Sequence, residues 1–210
     1  MDWTAVGSVG PEVVPVEQIL ERVVAPLALY QPILLIVIDG MSVAVCRELL
    51  SDLTKHEWTS LCEIGRNMNR PGLAMIPSVT EFSRTSLLCG QRRQGASPDE
   101  KARFAEHPVL LPACRNDAPP ILFHKVALQE SQDDGLAKEV RNAIQSSHRK
   151  IVGVVVNAVD DHLLKGDQID VRWTRDNIKV LPALLHEAQQ ARRLVVLVSD
   201  HQNILEKFKH

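Results

Sequence analysis

Three long apolar runs constrain the fold of this chain more than any other feature of its sequence. They are "ILLIVIDG" at residues 33–40, "KIVGVVVNAVDDH" at 150–162 and "RLVVLVSDH" at 193–201. Each run is rich in β-branched residues and stops abruptly at polar residues, which is typical of a strand buried on both faces. Such strands belong to parallel sheets that helices cover on both sides.

Segments with a helical spacing of apolar residues alternate with these runs. They include "VEQILERVVAPLAL" before the first run, "VAVCRELLSDL" after it, and "GLAKEVRNAIQ" and "TRDNIKVLPALLHEAQQA" on either side of the second. Two shorter apolar segments, "LAMIP" at 73–77 and "PPILFHKVAL" at 119–128, predict further strands. The alternation predicts an α/β fold with a doubly wound, mostly parallel sheet.

The chain is expected to hold one main domain. Residues 1–30 form a leading segment with a helix, and residues 31–205 form the domain itself. The polar, irregular stretch at about 90–120, which holds one short helix, is expected to be a loop-rich flap or insertion rather than core. An apolar content of 45% with 24% charged residues excludes a disordered chain, because it is ordinary usage for a folded domain.

Composition also limits the partners. A formal net charge of -2 gives no sign of a general attraction to nucleic acid or anionic lipid, so nucleic-acid binding is left undecided. No apolar run reaches the roughly 18 residues of a membrane-spanning helix. The 4 cysteines form no Cys-x-x-Cys pair. We therefore expect a cytoplasmic protein with reduced thiols and no membrane partner.

The stretch "MIPSVTEFSRTSLLCG", residues 75–90, is unusually rich in hydroxyl groups. The spacing of Ser78 and Glu81 predicts a capping box, in which each side chain accepts a hydrogen bond from a free amide at a helix start. Thr80 has no such role, and in a first helical turn it would lie among unpaired N–H groups that favour negative charge. Thr80 is therefore a candidate nucleophile toward an anionic substrate.

Potential metal ligands follow the predicted strands. They are Asp39, Thr80, Asp160, Asp161, His162, Asp200 and His201. Ligands of open α/β sheets bind beyond the carboxyl ends of the strands, so these side chains are expected at one edge. Their oxygen and imidazole groups suit one or two Zn²⁺ or Mn²⁺ ions. The alternative is that each aspartate caps a helix or accepts from a loop amide, but separate caps do not require so many ligand types to follow neighbouring strands.

Two stretches of the sequence resemble the PglZ domain of bacteriophage-exclusion (BREX) defence systems, which is part of the alkaline phosphatase superfamily. One is "IPSVTEFSRTSLLCG", which matches the nucleophile helix of the phosphodiesterase members. The other runs from residue 154 to 201 and holds an Asn-Ala-Val-Asp-Asp block, a Trp-led helix and a strand ending in Ser-Asp-His. The resemblance spans roughly residues 30–205, and its long final block favours a type 2 system.

The resemblance implies roles for individual residues. Thr80 would be the nucleophile, and Ser83 stands where many members carry an oxyanion-binding Asn. Asp39, Thr80, Asp200 and His201 would hold one metal ion, and Asp160 with Asp161 or His162 would hold a second. The cofactor expected from the family is a divalent metal, with Zn²⁺ first and Mn²⁺ or Mg²⁺ as alternatives.

The resemblance implies a metal-dependent phosphatase or phosphodiesterase-like hydrolase of a BREX system. Its substrate would be a phosphate ester or diester, and its partners other BREX components. The usual Gly-His after Asp-His, and the last metal ligand downstream, are replaced by "SDHQNILEKFKH", so a C-terminally truncated domain is one interpretation. Two alternatives stay open: a catalytically inactive PglZ-like scaffold in phage defence, and a generic binding domain whose strand-end acids are helix caps.

Overall fold

The computed structural model describes residues 13–61, 71–128, 136–157 and 172–201. The strands are β1 Val14–Pro15, β2 Ile33–Ile38, β3 Gly72–Leu73, β4 Ile121–Phe123, β5 Ile151–Val156 and β6 Leu194–Ser199. The helices are α1 Ala25–Tyr30, α2 Val43–Lys55, α3 Thr80–Cys89, α4 Ser97–Ala105, α5 Lys125–Leu128, α6 Lys138–Gln145 and α7 Leu181–Gln190. A π-helix, Leu20–Val24, leads into α1, and short 3₁₀ turns lie at Val16–Gln18, Leu111–Ala113 and Arg175–Asn177.

The main sheet is parallel, with the strand order β4-β5-β2-β6 among the described residues. Strand β2 lies between β5 and β6, and all six of its residues are buried. Its last residue, Ile38, pairs with Val156 of β5 and with Ser199 of β6. The three strands therefore end at the same level, and the residues that follow them lie along one edge of the sheet.

Apolar clusters cover both faces of this sheet. Because successive side chains of a strand point to opposite faces, alternate residues of β2 enter different clusters. Residues of α2, α6 and α7 pack on one face, and residues of α1, α3 and α4 pack on the other. An α/β fold with a parallel sheet, as the sequence predicts, is confirmed, and the runs at 33–38, 151–156 and 194–199 are its longest strands.

One predicted strand is wrong. The segment "LAMIP" contributes only Leu73 to a strand, and this strand, β3, pairs with β1 outside the main sheet. Both residues of β3 are exposed. Pro71 lies two residues before the segment and Pro77 is its last residue, and a proline lacks the N–H group that a central strand must donate. The short apolar run therefore lies in the loop that leads to α3.

The segment at 90–120, which the sequence suggests is a flap, contributes to the packed interior. Gly90 ends α3 with a left-handed φ of 65°, a conformation that glycine adopts without strain. Phe104 of α4 and Leu110 are both fully buried in the apolar cluster that includes α3. None of the described helices has the length and apolar character needed to cross a membrane.

Candidate active site

The candidate site lies where β2, β5 and β6 end. Asp39 follows β2 directly, is 0% exposed, and precedes Gly40, whose φ of 71° turns the chain toward α2. The N-cap of α2 is Ser42, whose Oγ accepts a hydrogen bond from the amide of Val45 at 3.2 Å. Asp39 is therefore not the cap of the next helix, and its side chain takes part in a different set of contacts.

Three buried side chains bring potential ligand atoms together. Asp39, Asp200 and His201 each offer an atom that lies within 4.8 Å of the others. Nδ1 of His201 is 3.0 Å from Oδ2 of Asp200 and 3.5 Å from Oδ1 of Asp39. At the start of α3, Oγ1 of Thr80 donates a hydrogen bond of 3.3 Å to Oδ1 of Asp39. Four of the residues singled out in the sequence are thus in one place.

Hydrogen bonds to one oxygen of each aspartate, Oδ2 of Asp39 and Oδ1 of Asp200, orient the two carboxylates. Oδ2 of Asp39 accepts from Nη1 of Arg84 and from Nδ2 of Asn157, each at 2.8 Å. Oδ1 of Asp200 accepts from the amides of Gly40 at 3.3 Å and of His201 at 2.9 Å. Oδ1 of Asp39 and Oδ2 of Asp200 are therefore the oxygens turned toward the imidazole of His201.

This arrangement fits a divalent cation. Oδ2 of Asp200 is buried and accepts no hydrogen bond within the described part of the chain, although His201 lies beside it. A buried carboxylate oxygen is unfavourable unless a hydrogen bond or a cation compensates its charge. Two carboxylate oxygens, an imidazole nitrogen and a hydroxyl are ligands that Zn²⁺ or Mn²⁺ accepts.

A second network extends from Asp39 through Arg84 to Glu100 of α4. Nε of Arg84 donates to both carboxylate oxygens of Glu100 at 3.2 Å. Glu100 is 0% exposed, and it also accepts from Oγ1 of Thr85 at 2.9 Å and lies 2.6 Å from Nε2 of His124. Burial alone would raise the pKa of Glu100, but the bond to His124, the charge of Arg84 and the bond from Thr85 together lower it. Glu100 is therefore ionised at neutral pH.

Sequence reasoning missed three members of these networks. Asn157 directly follows β5, so the apolar run at 151–156 already indicates that Asn157 lies at the strand ends. Arg84 lies four residues after Thr80, a spacing that puts both on one face of α3. Glu100 carries no such signal, because it lies in a polar segment and only its contacts in the folded chain, with Arg84, Thr85 and His124, reveal its role.

The predicted capping box is wrong. The N-cap of α3 is Val79, without a side-chain cap, so the helix begins one residue later than the box requires. The carboxylate of Glu81 instead accepts from Nε2 of Gln94 at 2.9 Å. Ser83, expected to face an oxyanion, is 0% exposed, and its Oγ accepts from the amide of Met75 at 3.1 Å.

The second predicted ligand set lies outside the described residues. Asp160, Asp161 and His162 fall between residue 157, where the description of the β5 end stops, and residue 172, where it resumes. Their role in holding a second metal ion stays a prediction.

The parallel α/β sheet, together with two aspartates, a histidine and a threonine gathered at its carboxyl edge, is consistent with an alkaline phosphatase-like domain. The sequence matches the family described as the BREX system PglZ alkaline phosphatase-like domain over residues 19–209, and the chain belongs to this family. No curated protein matches the chain.

Proposed function

We propose that the chain is a metal-dependent phosphoric ester hydrolase of a BREX phage-defence system, with Thr80 as its nucleophile. The observation that carries the proposal is the convergence of the Thr80 hydroxyl with the buried groups of Asp39, Asp200 and His201. Membership of the PglZ family supports the alkaline phosphatase-like chemistry. Its substrate is a phosphate ester or diester, and other BREX components are its partners in the cytoplasm.

Each residue has a distinct part in the reaction. Asp39, Asp200 and His201 would hold a divalent cation, Zn²⁺ in the first place, which lowers the pKa of a bound hydroxyl and neutralises charge on phosphoryl oxygens. Oδ1 of Asp39 accepts the hydrogen bond of Thr80 and so holds Oγ1 beside the groups that would bind the cation. The start of α3, which no side chain caps, presents the positive end of the helix and so favours the negative charge of the phosphoryl group.

The reaction would then proceed in two displacements. Oγ1 of Thr80 attacks phosphorus in line, the P–O bond to the leaving group breaks, and a phospho-threonine forms. The proton lost from the hydroxyl of Thr80 is balanced by the proton that the leaving oxygen gains as it departs as an alcohol. Water next attacks phosphorus from the side opposite Oγ1 of Thr80, and the bond between phosphorus and Oγ1 breaks. This releases phosphate from an ester substrate or a phosphomonoester from a diester, and a proton restores the hydroxyl of Thr80. If Asp160, Asp161 and His162 hold no second ion, this second displacement is expected to be the slower one.

Metal content and hydrolysis, measured on the same samples, test the proposal. We expect stoichiometric zinc or manganese by elemental analysis and turnover of bis(4-nitrophenyl) phosphate. Thr80→Ala should lower turnover at least about 1,000-fold, because it removes the nucleophile. Thr54→Ala is the matched control, since the exposed hydroxyl of Thr54 donates only within α2, to the carbonyl of Leu50 at 2.9 Å. Equal turnover by the wild type and Thr80→Ala would reject Thr80 as the nucleophile.

A catalytically inactive PglZ-like scaffold is the second candidate. The observation in its favour is that Ser83, which stands at the oxyanion-binding position of the resemblance, is buried and accepts a hydrogen bond from the amide of Met75. A scaffold would keep the fold and act as an assembly partner in phage defence. Folded chain that holds no metal and hydrolyses no diester, even when Zn²⁺ or Mn²⁺ is supplied, would favour this function over the hydrolase.

A further inference from the structure

We propose that Arg84 is the residue that binds the phosphoryl oxygens of the substrate and that Glu100 is the residue that positions it. This inference rests on the proposed function, because it names the group that receives the substrate anion beside Thr80. It also departs from the sequence prediction, which gave the oxyanion role to Ser83.

The location of Arg84 relative to Thr80 is the first argument. Both lie on α3, and residues four apart on a helix are neighbours on one face. Thr80 and Arg84 both donate to Asp39, one to each carboxylate oxygen, so their polar atoms meet at the same carboxylate. Ser83 lies one residue earlier than Arg84, and its hydroxyl is engaged in the interior by Met75.

The hydrogen-bond donors of Arg84 are the second argument. A guanidinium has five N–H donors in a planar fork that matches two oxygens of a phosphate. Nε is taken by Glu100 and Nη1 donates to Asp39. Within the described ranges, neither carboxylate accepts a hydrogen bond from Nη2. Nη2 and the second hydrogen of Nη1 are therefore the donors left for an anion.

Access from solvent is the third argument. The side chain of Arg84 is 12% exposed, and it lines an open pocket of about 540 Å³. The other lining residues are Glu81, Gln94, Gly95, Ala96, Ser97 and Asp99. Among the described residues, Arg84 is therefore the one cation of this lining, beside two carboxylates. The guanidinium can therefore be reached from this pocket, and through Asp39 it is linked to the hydroxyl of Thr80, which does not itself line the pocket.

Glu100 fixes the orientation of this guanidinium. Its buried carboxylate holds Nε with both oxygens and is itself held by Thr85 and His124. With Asp39 on Nη1, the guanidinium is constrained from two sides before any substrate arrives. Donors that are oriented in advance bind an oxyanion more strongly than donors that must reorganise.

The test is the affinity of the full chain for inorganic phosphate, measured by isothermal titration calorimetry after loading with Zn²⁺ and removal of the free metal. We expect Arg84→Gln to raise the phosphate Kd about 10- to 100-fold, since it removes a charged donor pair. Arg84→Lys and Glu100→Gln should each raise the phosphate Kd about 3- to 10-fold. Arg84→Lys keeps the positive charge at this position, whereas Glu100→Gln keeps Arg84 but weakens the contact that orients its guanidinium. Zinc content and far-ultraviolet circular dichroism are recorded on every sample.

Arg92→Gln is the matched control, because Arg92 forms a comparable ion pair, at 2.7 Å, with Glu17 on the leading segment rather than with the site. Its phosphate Kd should equal that of the wild type. A folded Arg84→Gln with wild-type zinc content and unchanged phosphate Kd would overturn the proposal, and so would a wild-type chain that binds no phosphate. If Arg84→Gln does not fold, an unchanged Kd for Arg84→Lys overturns it equally.

Failure of the hydrolase proposal can be told apart from failure of this one. Phosphate binding and hydrolysis of bis(4-nitrophenyl) phosphate are therefore measured separately, on the same samples of the wild type and of Arg84→Gln. Arg84-dependent phosphate binding without any hydrolysis would support the anion site and reject the enzyme. If hydrolysis depends on Thr80 but the phosphate Kd is the same for the wild type and Arg84→Gln, the enzyme is supported and the anion site is rejected.

Discussion

Asp39 is the residue on which the polar contacts of the site converge. Its Oδ1 accepts from Thr80 and faces His201, and its Oδ2 accepts from Arg84 and Asn157. These partners come from α3, from the end of β5 and from the end of β6. A single carboxylate at the end of the central strand therefore ties three elements of the fold to the candidate chemistry.

Glu100 gives a pH-dependent prediction at the residue scale. Its folded pKa is lowered below the ordinary glutamate value of about 4.3, so the ionised side chain stabilises the fold above that pH. We expect Glu100→Gln to reduce the free energy of unfolding by about 1–3 kcal/mol at pH 7. The difference in the free energy of unfolding between Glu100→Gln and the wild type should shrink as the pH falls below about 4.3 and then through the lowered pKa of Glu100.

Urea unfolding of both proteins, in steps from pH 7 down to the acid limit of folding, provides the measurement. Glu106→Gln is the control, because Glu106 is exposed at the end of the same helix. A stability difference for Glu100→Gln that stays constant across the whole pH range would contradict the assigned ionisation.

Site residues that directly follow strands could be predicted from the sequence, whereas site residues that are recognised only by their contacts with distant side chains could not. Asp39, Asp200 and His201 were predicted together because their runs are unmistakably strands. The pairing of Glu100 with Arg84 and with His124 joins positions 16 and 24 residues apart, and no periodicity encodes it. Such contacts depend on how α4 packs, which only the folded chain reveals.

Gly153 gives a prediction at the element scale, because it lets three elements approach closely. A Cβ at this position of β5 would lie 2.8 Å from Cδ1 of Leu122 on β4 and 3.1 Å from Cζ of Phe104 on α4. Both neighbours are buried, so neither side chain can move away freely. We expect Gly153→Ala to lower the free energy of unfolding by about 1–2 kcal/mol, by overpacking the core.

Gly72→Ala is the matched control for this substitution. A Cβ on Gly72 would meet its nearest atoms at 3.9 Å, which is ordinary contact, and Gly72 is exposed. Thermal unfolding of both variants gives the comparison, with a shift expected only for Gly153→Ala. A Gly153→Ala variant as stable as Gly72→Ala would show that α4 is not packed against the sheet as described.

At the element scale, long strands were predicted well and short ones poorly. Continuous, β-branched apolar runs of six residues are typical of strands, and β2, β5 and β6 follow them. The strands β2 and β5 are buried throughout, as expected, whereas β6 is only half-buried because it is the last strand of the described sheet. The "LAMIP" segment is also apolar, but it is short, has Ile76 as its one β-branched residue and ends in Pro77, so it does not continue as a strand of the main sheet. The role of α4 in the core rests on one apolar residue, Phe104, in a polar stretch, and a single residue forms no pattern.

On the scale of the whole molecule, the two ends of the sheet differ in character. The carboxyl end holds the candidate site, whereas the amino end holds a buried guanidinium, that of Arg193, just before β6. Arg193 donates hydrogen bonds to six backbone carbonyls, those of Ile33, Ala143, Ile144, Ser146, Arg149 and Lys150. Burial, helped by the charge of Arg149, lowers its pKa to about 10, so it remains charged at neutral pH.

Arg193 should therefore matter for stability alone. We expect Arg193→Met to lower the free energy of unfolding by about 3–5 kcal/mol, because it leaves several buried carbonyls without a donor. Arg192→Met, at the neighbouring exposed position, should change stability by less than about 0.5 kcal/mol. Urea unfolding measures both, and equal stabilities for the two variants would mean that the guanidinium of Arg193 does not join these segments.

The central claim is that Asp39, Asp200 and His201 form a site for a divalent cation at the carboxyl end of the sheet. Anomalous diffraction from crystals of the chain grown with Zn²⁺, recorded on both sides of the zinc absorption edge, tests it most directly. We expect a peak at about 2.0–2.2 Å from a carboxylate oxygen of each aspartate and from an imidazole nitrogen of His201. A zinc peak that lies only elsewhere, or no peak from crystals soaked in excess zinc, would contradict the claim.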